Sequence, residues 1–254
     1  MTDKVVSVYG YGRFGRLWAD ILAEDFRVKV YSRRGLHADD VPAGIEVSDA
    51  QGIFHCNALF FCVAISSFAE VLEKARPYCR RETLFFDTCS VKVFPVRWMK
   101  KHLPADSQII ATHPMFGPDS YPPQTARKPA MVMCNVSAGA ALFAEWVDYF
   151  TARSLQVELM TPAMHDRMSA YSQGISHFMG RVFEDLHLQP TAIDTHGFTM
   201  LLEVMAQTCS DSRQLFVDLQ RYNPYAGQMR QDLRKSMDKV AATLQLFDQA
   251  DRHR

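Results

Sequence analysis

Long apolar runs are what this sequence most plainly lacks. Its longest, ALFFCVAI from Ala58 to Ile65, falls far short of the roughly 20 residues of a membrane-spanning helix, so no membrane partner is expected. A basic excess is missing too. Lys and Arg number 28, Asp and Glu 28, and the formal net charge is zero. A nucleic-acid surface needs a basic excess, so no nucleic-acid partner is expected, although a local positive site fits within a neutral total. Six cysteines occur, at 56, 62, 79, 89, 134 and 209, and no two have C-x-x-C spacing. That absence removes the common zinc and redox motifs, and no metal is expected. Most of these cysteines sit in apolar runs, where cysteine acts as a small hydrophobe in a reduced setting. The opening MTDKVVSVYG lacks a signal-peptide layout. The expectation is a soluble, cytoplasmic chain. No internal repeat or low-complexity tract is present.

What the sequence has is alternation. Its 254 residues are enough for a large core split between two domains. Strand patterns occur in VVSVYG, RVKVYS, ALFFCVA, TLFFDT, QIIATHP and AMVMCNV, with LQVELM from Leu155 to Met160 as a last candidate. They are short and nearly continuous in apolar residues, as in strands buried on both faces of a parallel sheet. Helical patterns such as FGRLWADILAE, SSFAEVLEKARPY and FPVRWMKKHL lie between them. The fold class this predicts is α/β, a Rossmann-like doubly wound sheet over residues 1–160. After Thr161 no strand pattern appears. Thr161 reads as a cap and Pro162 as the first turn of a helix, so residues 161–254 are expected to form an all-helical domain.

Gly10, Gly12 and Gly15 spell G-x-G-x-x-G. The spacing alone is weak, but here it follows a strand and enters a helix, the context of a dinucleotide site. Gly10 permits the tight turn, Gly12 lets the backbone approach a pyrophosphate, and Gly15 lets helix and sheet pack closely. Arg13 and Phe14 complete the cofactor-binding motif GYGRFG. An acidic residue commonly ends the second strand, where it accepts a bond from the adenosine ribose. This chain has Ser32, Arg33 and Arg34 there. Guanidinium groups would pair with a 2′-phosphate, so NADP is the expected cofactor; a solvated basic turn is the alternative.

Two loops at strand ends carry further polar chemistry. FFDTCSVK holds Asp87, Ser90 and Lys92, and ATHPMFGPDS holds His113. Ligands of open α/β sheets bind at the carboxyl ends of strands, and a histidine there can take a proton near neutral pH. Alone, Ser90 reads equally well as a helix cap, and His113 as a plain turn residue. In HDRMSAYSQGISHFMGR, Gln173 and His177 are four apart on one helix face. Asp166 beside His165 reads as a charge on the helix dipole, and His177 in an apolar stretch as a core histidine.

Together GYGRFG, YSRR, DTCSVK, THPMFGPDS, HDRMSAYSQGISHFMGR and DSRQLFVDLQRYNPYA resemble the prephenate/arogenate dehydrogenase family, and its plant-type arogenate members most of all. The resemblance covers almost the whole chain, and SVK, then HPMFGP, then SH on a helix is its specific part. It implies an oxidative decarboxylation in tyrosine biosynthesis: hydride leaves the ring carbinol for the nicotinamide, and carbon dioxide leaves as the ring becomes aromatic. His113 matches the family histidine that accepts the hydroxyl proton, and Ser90 the serine bonded to it and to the substrate. Gln173 and His177 match residues lining the substrate pocket, with Thr195 a weaker match. Asp211 matches the Asp of arogenate-using members, where a carboxylate favours the substrate ammonium; a polar helix residue is its plainer reading. The arginine for the side-chain carboxylate is left between Arg213 and Arg167. The stretch YPPQTARKPA departs from the plant-type pattern.

The apolar stretches FTMLLEVMAQ and VAATLQLF look too apolar for a small exposed domain, so the helical domain is expected to form a homodimer. The alternatives to arogenate oxidation are prephenate oxidation to 4-hydroxyphenylpyruvate and a non-enzymatic NADP-binding sensor on the same fold. The related β-hydroxyacid dehydrogenase or imine reductase class is disfavoured by the HPMFGP strand end.

Overall fold

The structure is a computed structural model that describes residues 4–122 and 128–251, with side chains up to residue 244. Residues 123–127, within the departing YPPQTARKPA stretch, and the side chains of the last part of VAATLQLF lie outside the described residues. The chain divides into two compact units after His165, where the sequence pattern placed the change after Met160.

The first unit is one eight-stranded sheet with helices. Its strands are β1 (Val5–Tyr9), β2 (Arg27–Tyr31), β3 (Ile45–Val47), β4 (Ala58–Phe61), β5 (Leu84–Asp87), β6 (Gln108–Pro114), β7 (Ala130–Asn135) and β8 (Gln156–Leu159). They lie in the order β3-β2-β1-β4-β5-β6-β7-β8. The first six are parallel and follow the doubly wound order, so the chain reverses its direction of travel between β1 and β4. β4 and β5 are buried at every position, as their unbroken apolar runs require.

The expectation of a parallel sheet needs one correction. β7 runs antiparallel to β6, with His113 opposite Val132. A parallel return needs a crossover of a dozen or more residues, usually a helix, and the sequence between these strands has no helical pattern. β8 then pairs with β7 in parallel.

Helices α1 (Arg13–Ala23), α2 (Ile65–Ala75), α3 (Val93–His102) and α4 (Ala140–Ala152) accompany the sheet. Trp18 of α1 anchors the core. It is fully buried and lies 5.6–6.2 Å, ring to ring, from Phe60, Phe116 and Phe150. Burying one such side chain stabilises by roughly 1.5–3 kcal/mol, so this aromatic cluster is a major source of the unit's stability.

The second unit is helical throughout its described residues. α5 (Pro162–Ser169) enters it and passes through a π-helical turn at Ala170–Gly174 into α6 (Ile175–Asp185). α7 (His196–Ser210), α8 (Arg213–Tyr222) and α9 (Ala226–Asp251) follow. Thr195 caps α7 by accepting the Phe198 N–H, and Ser212 caps α8 by accepting that of Leu215. α6 and α7 touch at Gly180, where an added Cβ would stand 1.9 Å from Thr208 Oγ1.

Candidate active site

The glycine turn between β1 and α1 is held by backbone contacts that leave little choice of residue. Gly10 has φ +111°, and a Cβ there would meet the Cys62 carbonyl oxygen at 2.2 Å. At Gly15 it would meet the Gly10 oxygen at 1.8 Å. Gly12 differs: nothing lies within 4 Å of its would-be Cβ. The turn is therefore tight on its protein side and open at Gly12, the first residue ahead of α1. An open cradle at a helix N-terminus, with backbone N–H groups unused by the helix, fits a pyrophosphate.

Arg13 and Phe14, expected at this site, have partners in the fold. Arg13 makes two bonds to the Asp119 carboxylate, at 2.7 and 2.9 Å. The pair is exposed and ties the start of α1 to the loop after β6. Phe14 stacks on Trp18, so it serves the core through its ring. At the end of β2, Arg33 and Arg34 are exposed and Ser32 is half-buried, its Oγ accepting the Arg34 N–H at 3.3 Å. Two exposed guanidinium groups on a turned backbone fit a second phosphate.

Deeper in the sheet, β5 and β6 end in a polar knot. Asp87 and Lys92 are both fully buried and form an ion pair. Lys92 Nζ also donates to the Thr112 carbonyl at 2.5 Å, and Thr112 Oγ1 donates to the Asp87 carbonyl at 2.5 Å. Cys89 N–H donates to Asp87 Oδ2. Burial pushes the Asp87 carboxyl up, against the pull of the Lys92 ammonium. These bonds fix the turn carrying Ser90 against the strand carrying His113. Ser90 is half-buried, and His113 is 3% exposed.

His113 has a neighbour that sequence reasoning missed. Its Nδ1 lies 2.8 Å from Nε2 of His165, itself 2% exposed. The rings meet edge to face at 5.0 Å. The available signal was the second histidine of HDRM just after the sheet's last strand, although nothing in the spacing of 52 residues marks the pair.

In the helical unit, His177 is buried and its Nε2 lies 3.8 Å from Asp211 Oδ2. Burial holds the His177 pKa below its ordinary value; the Asp211 carboxylate pulls it up and Arg181 pushes it down. Arg181, also missed, donates to the Asp211 carbonyl at 2.9 Å and pairs with Glu184. The structure thus brings His177 and Asp211 together and adds Arg181. Gln173 is half-buried in the π turn, bonded to Ser169 Oγ at 3.4 Å, and Thr195 is spent on its cap. Arg167 and Arg213, the candidates for a carboxylate clamp, are both exposed. Among the described residues no cluster of metal-ligating side chains occurs, and no helix is long and apolar enough to cross a membrane.

This arrangement can be set beside known proteins. The model of the prephenate dehydrogenase nucleotide-binding domain matches residues 28–134, and that of the TYRAAT1-like C-terminal domain matches residues 182–253. Arogenate dehydrogenase 2, chloroplastic, of Arabidopsis thaliana is 31% identical over 250 residues, covering 94% of this chain and 69% of the relative. The chain belongs to the prephenate/arogenate dehydrogenase family. Arogenate dehydrogenase 1, chloroplastic, of the same plant is 34% identical over 232 residues, 87% of this chain; the match spans only 36% of that relative's length. The family fold is shared with prephenate dehydrogenase from A. aeolicus, solved in complex with hydroxyphenyl propionate and NAD+, with TM-score 0.74, 14% identity and coverage of 96% of this chain and 91% of that one. A nucleotide-binding sheet followed by a helical unit is thus the architecture of this family member.

Proposed function

We propose that the chain catalyses the NADP-dependent oxidative decarboxylation of arogenate to tyrosine. The observation that carries the reading is His113, buried at the carboxyl end of β6 and braced by His165, in the unit whose glycine turn opens at Gly12. NADP, when bound, accepts the hydride. Gly12 and the N-terminus of α1 would hold its pyrophosphate, and Ser32, Arg33 and Arg34 its 2′-phosphate. His113 takes the carbinol proton as the C–H electron pair leaves, and Ser90 orients that hydroxyl. The ring carboxylate departs as carbon dioxide, its bonding pair makes the ring aromatic, and His113 returns the proton to the phenolate oxygen. Aromatisation drives the reaction, so orientation and one proton acceptor are the protein's tasks.

For substrate choice we assign Asp211 and His177 to the amino-acid end of arogenate, with Gln173 and Thr195 assigned by motif position. Asp211 is one-third exposed, with the His177 ring 3.8 Å away, so its carboxylate is loosely engaged and suited to an ammonium. The family relationship equally supports prephenate, which carries a ketone at that end. The deciding experiment mixes purified protein with arogenate or prephenate and NADP or NAD, and follows absorbance of the reduced nicotinamide. Fastest turnover with arogenate and NADP supports the reading; prephenate preference overturns the substrate, and NAD preference the cofactor.

We further propose a homodimer through the helical unit, which leaves Ile193 89% exposed, with Met200, Leu201, Met237, Val240 and Leu244 also exposed. Light scattering tests this, and a monomer at every concentration contradicts it. A reducing compartment suits the six cysteines, all free. Burial pushes Cys56 up to about 11 and Cys62 and Cys79 to about 12, so these thiols stay protonated and unreactive.

A further inference from the structure

We propose that His165 is a positioning residue that sets the tautomer of His113. The inference rests on the reading of His113 as the proton acceptor. A neutral imidazole has one protonated and one bare nitrogen. The contact between His113 Nδ1 and His165 Nε2 is 2.8 Å long, and both rings are almost wholly buried, so one of these two nitrogens carries the proton of the bond. For His113 to accept a proton on Nε2, its Nδ1 must hold the hydrogen and donate it to His165. His165 then carries its own hydrogen on Nδ1 and presents a bare Nε2. Free histidine favours hydrogen on Nε2, the tautomer that cannot act as the base, so the partner's lone pair selects the competent form. When the carbinol proton reaches His113, the same bond becomes charge-assisted and shortens the path to the imidazolium. The logic matches that of any base held by a third group.

Position supports the role. His113 is fixed by the sheet through its register with Val132. His165 comes from the first turns of α5, where its N–H bonds to the Thr161 carbonyl at 3.0 Å and Thr161 Oγ1 accepts the Met164 N–H at 3.2 Å. The cap and helix that end the first unit therefore aim His165 at the strand end.

The experiment uses the full chain carrying His165→Ala, His165→Leu or His165→Gln. Nitrogen-15 spectra of the imidazoles report the His113 tautomer, and steady-state kinetics report kcat and KM separately. Gln places an acceptor oxygen near the lost Nε2; Leu preserves bulk without one. We expect Ala and Leu to lower kcat by about 10–100-fold, the usual cost of losing an orienting partner, with KM and NADP affinity within about threefold of the parent. Gln should recover most of kcat. His113 should carry its hydrogen on Nδ1 in the parent and in Gln, and on Nε2 in Ala and Leu. An unchanged His113 tautomer in Ala and Leu, or equal kcat losses in all three variants, overturns the proposal. Because the spectra need no turnover, an inactive parent protein would sink the proposed reaction while the tautomer assignment is still decided.

Discussion

The two units treat apolar surface in opposite ways. In the sheet unit the large side chains are inside: Trp18, Phe60, Phe61, Phe85, Phe86 and Phe150 are all fully buried. The helical unit buries Leu219, Ala226 and Met229 but leaves Ile193, Met200, Leu201, Met237, Val240 and Leu244 exposed. Their polar chemistry differs as well. The sheet unit hides a complete ion pair, Asp87 with Lys92. In the helical unit the His177–Asp211 contact is long, and His177 Nδ1 and Arg181 Nε are buried without a hydrogen-bond partner among the described residues. A buried polar atom without a partner is costly. The lesson is that the first unit is finished by its own chain, while the second leaves both apolar surface and polar capacity for something else to meet.

Five substitutions can sharpen or break that contrast. His113→Ala should have the largest effect, lowering turnover by about two to four orders of magnitude while NADP binding stays near normal; close to full activity would remove His113 from the chemistry. Lys92→Met tests whether the sheet unit depends on its internal ion pair. It strands the Asp87 carboxylate in the core and should cost about 3–5 kcal/mol in denaturant unfolding, and an unchanged midpoint would contradict that dependence. In the helical unit, Leu201→Glu with Val240→Glu should abolish dimerisation in light scattering without lowering the unfolding midpoint of the sheet unit. Loss of the sheet transition as well would break the contrast.

Two smaller effects address specificity on either side. Arg33→Ala with Arg34→Ala should reduce the NADP-over-NAD ratio of kcat/KM by about tenfold, since a charge-assisted phosphate contact is worth roughly 1.5–3 kcal/mol. Equal use of both cofactors by the parent would end that reading. Asp211→Asn should shift the arogenate-to-prephenate ratio toward prephenate, by about three- to tenfold on the same scale for a single contact. It should also weaken competitive inhibition by tyrosine, whose ammonium offers the same partner. An unchanged ratio would leave Asp211 a polar helix residue.

Much of the sheet could be read from the sequence because buried parallel strands announce themselves as apolar runs. β3 escaped because three residues, Ile45–Val47, offer no period to detect. α4 was not singled out: Phe143, Trp146, Tyr149 and Phe150 are weak helix formers and blur its pattern. Strand direction was hidden at β7, since apolar runs look alike in both directions. The glycine turn and the strand-end loops were legible because chemistry and backbone demand coincide there. His165 and Arg181 were not, because each matters through a partner 52 or 30 residues away that local spacing never reveals.

The π turn at Ala170–Gly174 bears on how this stretch tolerates changes of length. Its fifth residue, Gly174, has a would-be Cβ 3.3 Å from the Ser169 carbonyl, and its own carbonyl accepts from Gln220 Nε2 at 2.9 Å. Gln220 is in turn held by Arg230 at 2.7 Å. The widened turn is thus an extra residue accommodated within a helix and fastened from outside. Deleting one residue between 170 and 174 would let the ordinary repeat close and would swing everything after it by about 100°, carrying His177 away from Asp211. The same deletion would leave Gln220 and Arg230 bonded to nothing in that turn. Length in this stretch is therefore as strictly specified as residue identity, and the fastening pair should vary only when the turn itself is lost.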